Sequence, residues 1–303
     1  MIDKSDGAVV GFIGLGNIGQ PMARAVVSGG YRVIVYDTEP ARSEPFRASG
    51  VTVADSLADF SQAAVVLLAV PDDEAVTSVV TGLLDAPLAP DAAIVIHSTV
   101  LPATAIQLSQ RAGEQGIAVI DAPASGGADR AAQGRLTLMA GGERSALDAV
   151  RPILANFADH IFHVGQAGAG AAAKLANQVM MFTTLAGAHE AFDLAERYGV
   201  RPQQILPIVE QSTGGSWIAA NWDFFPGVAD EYDRAGVPLA HRTWVKDLSD
   251  ALIAGREVGC PLPLTGLVAQ SVPTRIEERH HRTGTGQPTS LAEREPSLGR
   301  QND

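Results

Sequence analysis

The feature that most restricts the possible folds is a glycine pattern directly after the first apolar run. Residues 8–13 form a short apolar segment, Gly14-Leu15-Gly16-Asn17-Ile18-Gly19 follows it, and residues 20–27 have helical character. Strand, glycine turn and helix form the context in which G-x-G-x-x-G predicts dinucleotide binding. The first glycine allows the tight turn, the second lets a pyrophosphate approach the backbone, and the third lets helix and strand pack closely. A glycine turn without a ligand is the structural alternative, and this context disfavours it.

An acidic residue follows the second predicted strand. Residues 31–36 are typical of a strand, and Asp37 ends it, 18 residues after Gly19. A carboxylate at this position can accept hydrogen bonds from the adenosine ribose hydroxyls and would repel a 2′-phosphate. We therefore expect NAD rather than NADP as the cofactor. Arg42 lies near enough in the sequence to weaken this preference, so NADP stays open.

Strand and helix signals then alternate through the first half of the chain. Residues 63–70 (AAVVLLAV) form the continuous apolar run expected of a parallel strand that is buried on both faces. Further strands are predicted at 92–96, 117–120, 136–140 and 161–164, with helices at 72–80 and 147–157. This alternation predicts an α/β doubly wound parallel sheet over residues 1–164. Ligands in such sheets bind beyond the carboxyl ends of the strands, where Val70, Pro71 and Thr99 lie.

A second glycine loop follows the strand at 117–120. It reads DAPASGGADRAAQG from residue 121 to 134. Ser125 offers a hydroxyl group, and Gly126 and Gly127 can present successive backbone N–H groups to an anion. A small carboxylate would suit this loop. A plain glycine loop without a ligand explains the same residues equally well.

The second half of the chain is predicted to be helical. Helices are expected at 171–198, 202–210, 217–221, 241–257 and 265–277, which makes residues 165–279 an all-α C-terminal domain. Residues 280–303 are polar and rich in Gly, Pro, Ser and charge, which predicts a disordered tail.

A lysine lies near the start of this helical half, within GAGAAAKLANQ at residues 168–178. On a helix Lys174, Asn177 and Gln178 share one face, so an amine and two neutral hydrogen-bonding groups would lie side by side. Because the lysine falls where the strand signals end, it could face a cleft between two domains. The alternative is a surface lysine on an alanine-rich helix.

Composition excludes several classes of function. A net charge of −12 disfavours binding to nucleic acid or to an anionic membrane surface. Cys260 is the single cysteine, which excludes an internal disulfide and multi-cysteine metal sites, and no cluster has metal-ligand spacing. The N-terminal residues do not resemble a signal peptide, and no apolar run approaches membrane-spanning length. We therefore expect a cytoplasmic protein that is not bound to a membrane.

Four segments together resemble one enzyme family. GLGNIGQPMARAV, DAPASGG, GAGAAAKLANQ and WVKDLSDAL occur in the order and at spacings similar to those of the β-hydroxyacid dehydrogenases, over roughly residues 8 to 275. This family includes 3-hydroxyisobutyrate, tartronate semialdehyde, L-threonate and 6-phosphogluconate enzymes. The resemblance implies a Rossmann domain, an all-helical domain that forms a dimer interface, and hydride transfer between a nicotinamide cofactor and a small 3-hydroxy acid. It also implies a homodimer or homotetramer.

The resemblance assigns roles by position. Lys174 matches the catalytic lysine, Ser125, Gly126 and Gly127 match the loop for the substrate carboxylate, and Asn177 matches an asparagine that assists binding. Lys246 matches a lysine that reaches the cofactor, and Val70, Pro71 and Thr99 match the wall of the nicotinamide half. Gln178 stands where many members have asparagine. Gln178 favours a tartronate semialdehyde reductase, whereas QSTGGSW at 211–217 favours a threonate dehydrogenase, so the substrate stays open.

Several other residues are weaker candidates. His163 and His189 are expected to be structural, and His241, Arg242 and Asp247 are expected to be on a helix surface or in ion pairs. For His241 and Arg242, contact with a substrate tail is the alternative. Trp217 and Trp222 either shape the pocket or pack the helical domain. Two alternative functions are a catalytically silent dinucleotide-binding scaffold and an imine or other carbonyl reductase, although the lysine separates this chain from the imine reductases.

Overall fold

The computed structural model describes residues 7–86 and 88–284, and its first half is built around one sheet. The first six strands are β1 Val9–Ile13, β2 Arg32–Tyr36, β3 Thr52–Val53, β4 Ala63–Leu68, β5 Ala93–Ile96 and β6 Ala118–Asp121. The helices between them are α1 Gly19–Ser28, α2 Pro40–Arg47, α3 Asp73–Asp85 and α4 Pro102–Gly113. These strands are parallel in the order β3-β2-β1-β4-β5-β6. The order reverses between β1 and β4, and ligands bind beside such a reversal.

Three further strands extend the sheet differently from the prediction. They are β7 Ala124–Ser125, β8 Leu136–Gly141 and β9 Ala158–Gly165, joined by α5 Gly127–Ala132 and α6 Arg144–Leu154. β8 runs antiparallel to both β6 and β7, while β9 is parallel to β8. Only residues 126–135 separate β7 from β8, fewer than the dozen or so that a parallel crossover needs. The parallel arrangement predicted from the sequence is therefore confirmed for the first six strands and ends at β6.

Two apolar cores cover the two faces of the sheet. Alternate residues of a strand point to opposite faces, and β4 shows this directly: Val65 and Leu67 belong to one core, whereas Val66 and Leu68 belong to the other. Helices α1 and α6 supply apolar residues to the first core, and α3 and α4 supply them to the second. The unbroken apolar run that predicts β4 thus reflects burial on both sides.

The second half is entirely helical among the described residues. Its helices are α7 Ala169–Arg197, α8 Pro202–Glu210, α9 Trp217–Ala220, α10 Phe224–Arg234, α11 Thr243–Glu257 and α12 Pro263–Gly284. The sequence does not predict α10, because Pro226 and Gly227 resemble a turn. Pro226 lies in the first turn, where its missing N–H has no helical partner to lose. In the part of the chain that the structure describes, no helix is long and apolar enough to cross a membrane.

The last helix is longer than predicted. It continues to Gly284, seven residues past the expected end at 277. The sequence predicts a disordered tail from residue 280, but residues 280–284 belong to this helix. The rest of the predicted tail, residues 285–303, lies outside the described residues.

A buried guanidinium joins three of these helices. Arg242, which directly precedes α11, donates two hydrogen bonds to Glu277 of α12 (3.1 and 2.9 Å) and forms an ion pair with Asp233 of α10. Trp244 also donates to Glu277, from Nε1 to Oε1 at 3.0 Å. The guanidinium is thus an ion-pair residue, as expected, but it lies buried within the bundle rather than at its surface. Its bonds fix the start of α11 relative to the rest of the bundle.

Helix α7 meets the sheet in a tightly packed junction. A methyl group on Gly170 would collide with the carbonyl oxygens of Asp121 and Met139. Backbone oxygens in a sheet cannot move aside as a flexible side chain can. Gly170 therefore lets the first turn of α7 lie directly against β6 and β8.

We predict that Gly170→Ala lowers the free energy of unfolding by about 1–3 kcal/mol, since overpacked sites have few ways to relax. Gly187→Ala, on the same helix, is the matched control, because a methyl group there meets no atom within 4 Å. Replacing an exposed helical glycine with alanine should stabilise by about 0.5–1 kcal/mol. Urea unfolding followed by circular dichroism measures both. Equal effects of the two substitutions would contradict this view of the junction.

Candidate active site

A cleft of about 1090 Å³ lies between the carboxyl ends of the strands and helices α7, α10 and α11. All of the predicted site residues except Gly19 line it. They are Gly14, Leu15, Gly16, Asn17, Ile18, Asp37, Val70, Pro71, Thr99, Ser125, Gly126, Gly127, Lys174, Asn177, Gln178 and Lys246. These predicted residues come from both halves of the chain, up to 232 positions apart (14 and 246), and face one space.

The glycine turn at the end of β1 has the shape that a dinucleotide requires. Gly14 has φ +91°, and a methyl group on it would collide with the carbonyl of Ala69. A methyl group on Gly16 would meet no atom within 4 Å and would instead occupy the cleft. At Gly19 it would collide with the Gly14 carbonyl oxygen. The turn thus leaves its backbone open to a phosphate group ahead of α1.

Asp37, at the end of β2, is hydrogen-bonded to this turn. Its Oδ2 accepts from the Leu15 N–H (2.7 Å), and its Oδ1 accepts from the Glu39 N–H (2.8 Å). Arg42 lies 3.8 Å from Asp37 Oδ1 and 2.8 Å from Glu39 Oε2, so two carboxylates offset its charge. The oxygens of Asp37 keep lone pairs that can accept from ribose hydroxyls. The turn and this acid fit a nicotinamide adenine dinucleotide.

Lys174 lies on the buried face of α7. The chain has three lysines, Lys4, Lys174 and Lys246, and the last two line the cleft. Only 7% of Lys174 is exposed, and no hydrogen bond to its amine is found within the described residues. Burial lowers the pKa of Lys174 below its ordinary value of 10.5, the nearby Asp247 opposes this, and the charge of Lys246 adds to it. A neutral amine is thereby favoured in the cleft.

Lys246 reaches the cleft from α11 and has the opposite tendency. Its Nζ donates to the Thr99 carbonyl oxygen (2.6 Å) and to Asp250 Oδ2 (2.7 Å), and it lies 3.7 Å from Asp247 Oδ1. Burial by itself would lower the pKa of Lys246, but Asp247 and Asp250 outweigh it and raise that pKa above 10.5. Lys246 is therefore a permanent cation at neutral pH, and it ties α11 to the end of β5.

Asp247 connects the two lysine-bearing helices. It is 1% exposed, and its Oδ2 accepts a 2.6 Å hydrogen bond from Gln178 Nε2 on α7. Asn177 Nδ2 in turn donates to Gln178 Oε1 at 3.3 Å. Asp247 was expected at a helix surface or in an ion pair; it is ion-paired but buried. Gln178 shares the buried face with Lys174, whereas Asn177 lies at the edge of that face.

The second glycine loop faces an aromatic pair from the helical half. Gly126 and Gly127 have φ +136° and +75°, and the Phe224 ring lies 3.6 Å from where a methyl group on Gly127 would be. The Trp217 ring packs edge to face against the Phe224 ring, with 5.0 Å between the ring centroids, and Trp217 also lines the cleft. Trp222 instead packs against Phe192 and so belongs to the helical core. Trp217 thus shapes the pocket, whereas Trp222 packs within the helical domain.

The wall near Val70 is held by a serine. Ser98 Oγ accepts from the Val70 N–H (2.9 Å) and donates to the Val70 carbonyl oxygen (2.7 Å). His97 precedes it, and burial lowers the pKa of His97 to about 4, so this imidazole is neutral. Its Nδ1 bonds the Ala122 carbonyl oxygen (2.8 Å). Val70, Pro71 and Thr99 are therefore held in one rigid surface.

Asp121 is a positioning residue that the sequence did not reveal. It ends β6, and its two oxygens accept from the N–H groups of Gly168 (2.9 Å) and Ala171 (2.8 Å) at the start of α7. Burial raises the pKa of Asp121, and these backbone donors oppose the rise. Lys174 lies one turn after Ala171, so Asp121 fixes the end of the helix that carries the amine. The signal for it in the sequence is an acidic residue directly before Ala122-Pro123, at the end of a predicted strand.

Two further contacts join the walls of the cleft. Asn17 Nδ2 donates to Glu231 Oε2 of α10 (2.7 Å), and His241 Nε2 lies 3.7 Å from Asp72 Oδ2. Asp72 also caps α3 by accepting from the Ala75 N–H, as its position predicts. His163 and His189 do not line the cleft. Among the described residues, no group of three or more His, Cys, Asp or Glu could hold a metal ion.

Two protein-family profiles match the chain. One describes the NAD binding domain of 6-phosphogluconate dehydrogenase and matches residues 9–165. The other describes the NAD-binding region of NADP-dependent 3-hydroxyisobutyrate dehydrogenase and matches residues 168–287. Between them they cover the sheet, the helical half and the cleft.

Individual relatives are similar over most of their length. An NAD-dependent L-serine dehydrogenase from Pseudomonas aeruginosa is 35% identical over 85% of this chain and 89% of its own. A 2-(hydroxymethyl)glutarate dehydrogenase from Eubacterium barkeri is 32% identical over 86% and 87%. The solved structure of a Mycobacterium tuberculosis 3-hydroxyisobutyrate dehydrogenase with L-serine is 31% identical, with a TM-score of 0.79 over 90% of this chain and 94% of that one.

The two lysines should affect stability in opposite directions. Lys174→Met removes a buried amine for which the described residues provide no hydrogen bond, and we expect a gain of about 1 kcal/mol at pH 7. Because its folded pKa lies below 10.5, the cost of its charge is complete below that lowered pKa and disappears as the pH rises towards 10.5. The gain should shrink over the same range.

Lys246→Met is the matched control. It leaves Asp247 and Asp250 buried without their cation, which should cost about 3 kcal/mol. Chemical unfolding of both variants at several pH values measures the two effects. A loss of stability in Lys174→Met at pH 7 would contradict the described environment of this amine.

Proposed function

Because the chain belongs to the β-hydroxyacid dehydrogenase family, we propose that this cleft oxidises a small 3-hydroxy acid with Lys174 as the general base. The protein is an NAD(P)-dependent oxidoreductase that acts on a CH–OH group, as its relatives are. The residue roles are the proposal. One observation carries it: two lysines in one cleft have pKa values displaced in opposite directions.

Because the pKa values of Lys174 and Lys246 are displaced in opposite directions, the two amines have different roles in the reaction. Oxidation of a carbinol requires a base for the hydroxyl proton, and a lysine with an ordinary pKa would be protonated near pH 7. Burial beside Lys246 favours neutral Lys174, which can take the proton. In the reverse direction the Lys174 ammonium donates that proton to the carbonyl oxygen. Lys246 cannot exchange a proton at this pH and contributes a fixed positive charge.

The chemistry divides between the cofactor and the chain. The nicotinamide ring, when bound, accepts hydride from the carbinol carbon. Ser125 and the N–H groups of Gly126 and Gly127 would hold the substrate carboxylate, and Phe224 would cover that loop. Asn177 would orient the substrate, and Gln178 would keep Asp247 aligned beside the two amines. Trp217 and Phe224 would keep water from the reacting carbon.

The remaining cofactor contacts follow from the strand ends. The glycine turn would hold the diphosphate, and Val70, Pro71 and Thr99 would bound the nicotinamide half. Asp37 favours NAD, since its carboxylate, with Glu39 beside Arg42, would repel a 2′-phosphate. NADP stays possible through a movement of Arg42, whose side chain is 37% exposed.

The relatives narrow the substrate class. The substrates in the names of the three relatives share a hydroxymethyl group on the carbon that bears a carboxylate. We propose the same class for this chain. A silent scaffold would not need a buried amine at this position, and an imine reductase would not need the Ser125–Gly127 loop for a carboxylate.

We further propose a homodimer or a larger homo-oligomer in the cytoplasm. Helix α8 has no buried residue, although it contains several aliphatic side chains. Tyr198 directly follows α7 and is 82% exposed, and Ile208 of α8 is 60% exposed. A second copy packed on this surface would cover them.

The test is turnover of 3-hydroxyisobutyrate, L-serine and 2-(hydroxymethyl)glutarate with NAD and NADP, by wild type and by Lys174→Ala. We expect the variant to lose about 10²–10⁴-fold in kcat, the usual contribution of a general base. Its Kd for NAD should stay within about twofold, because the dinucleotide contacts lie on the sheet.

The pH dependence provides a second readout. For wild type, kcat/KM for oxidation should rise with pH through the lowered pKa of Lys174, and for reduction it should fall over the same interval. Near-normal turnover by Lys174→Ala would exclude Lys174 as the base. No turnover of any hydroxy acid by wild type would favour the scaffold or imine reductase alternatives.

A further inference from the structure

A guanidinium in the cleft wall has no role in the mechanism above. Arg130 lies on the short helix α5, directly after the Ser125–Gly127 loop, and it lines the cleft. It is half-buried, and its guanidinium makes no hydrogen bond or ion pair among the described residues.

The other permanent or potential cations of the cleft are compensated. Arg42 has Glu39, Lys246 has Asp250, and His241 has Asp72. Lys174 and His97 are the exceptions, and burial favours the neutral form of each. Within the part of the chain that is described, Arg130 is therefore the one unpaired permanent charge that faces the cleft. A charge partly removed from water gains most from an anion that arrives with a ligand.

The side chain of Arg130 lies along the glycine loop. Its Cβ and Cδ atoms are 3.0 and 2.9 Å from where a methyl group on Gly126 would be. Side chains on a helix point back towards its N-terminus, and Arg130 follows Gly126 by four residues. The stem of the Arg130 side chain thus lies beside the loop that would bind the substrate carboxylate, and its guanidinium belongs to the same cleft.

We propose that Arg130 binds a second carboxylate of the substrate, so that the preferred 3-hydroxy acid is a dicarboxylate. This inference rests on the proposed function. The Ser125–Gly127 loop satisfies the carboxylate next to the reacting carbon, and Lys246 is already neutralised by its own acids. A further negative charge on the substrate would find its partner in Arg130, whose planar fork matches a carboxylate in two hydrogen bonds.

A matched pair of substrates tests the proposal. In 2-(hydroxymethyl)succinate the reacting end is that of 3-hydroxyisobutyrate, with a second carboxylate on the side chain. In 2-(hydroxymethyl)-4-methylpentanoate an isopropyl group of similar shape replaces that carboxylate. We expect wild type to prefer the succinate in kcat/KM. Arg130→Gln should lose about 30-fold for the succinate, a usual effect for a charged hydrogen bond, and less than threefold for the isostere.

Controls separate charge, geometry and folding. Arg130→Lys should keep part of the preference, because it keeps the charge without the fork. Arg135→Gln removes an exposed arginine outside the cleft and should change neither substrate's kcat/KM. The Kd for NAD, measured by fluorescence titration, should be equal in wild type and Arg130→Gln.

Four outcomes would overturn the proposal. The first is an equal loss for both substrates in Arg130→Gln. The second is unchanged selectivity with a weakened Kd for NAD, which would assign the guanidinium to the cofactor diphosphate. The third is failure of wild type to oxidise either acid or 3-hydroxyisobutyrate, which would remove the proposed function as well. Turnover of 3-hydroxyisobutyrate without preference for the succinate would remove only this inference.

Discussion

The structure depends on how the start of α7 is held against the sheet. Asp121 accepts hydrogen bonds from two N–H groups of that first turn, and Gly170 allows the backbone to lie against the carbonyls of β6 and β8. Lys174 follows within one turn of this junction. An amine on a flexible helix could turn to water and keep its ordinary pKa. Here the anchored helix keeps it inside the cleft, where desolvation favours the neutral form.

The second amine depends on a different support. Arg242 binds α10 and α12 at the start of α11, and Lys246 then extends from α11 to the Thr99 carbonyl. Its neighbouring acids keep it charged, and Asp247 also accepts from Gln178 on α7. One carboxylate therefore contacts both helices. The result is a cleft in which one lysine loses its proton easily and the other keeps it.

Sequence reasoning succeeded where local pattern decides structure. The glycine turn, Asp37 and the apolar run of β4 are local signals, and each occupies the predicted place in the fold. Lys174 was located by its helical neighbours and by the family resemblance together. Asp121 and Arg130 carry no local pattern that marks a site residue, and Asp247 is expected only at a helix surface or in an ion pair, because their surroundings are set by segments far away in the sequence. The N–H groups that donate to Asp121 belong to Gly168 and Ala171, which lie 47 and 50 residues later. The antiparallel direction of β8 and the helix at Pro226 likewise depend on tertiary context that no short pattern records.

The most direct test is the titration of each lysine by NMR of protein labelled with carbon-13 at the lysine Cε. Only three signals are expected, because the chain has three lysines, and Lys174→Met and Lys246→Met assign two of them. We expect Lys174 to titrate below 10.5 and Lys246 to titrate above it. If Lys174 instead titrates at or above 10.5, with and without bound NAD, the two amines do not differ as described and Lys174 is not the base.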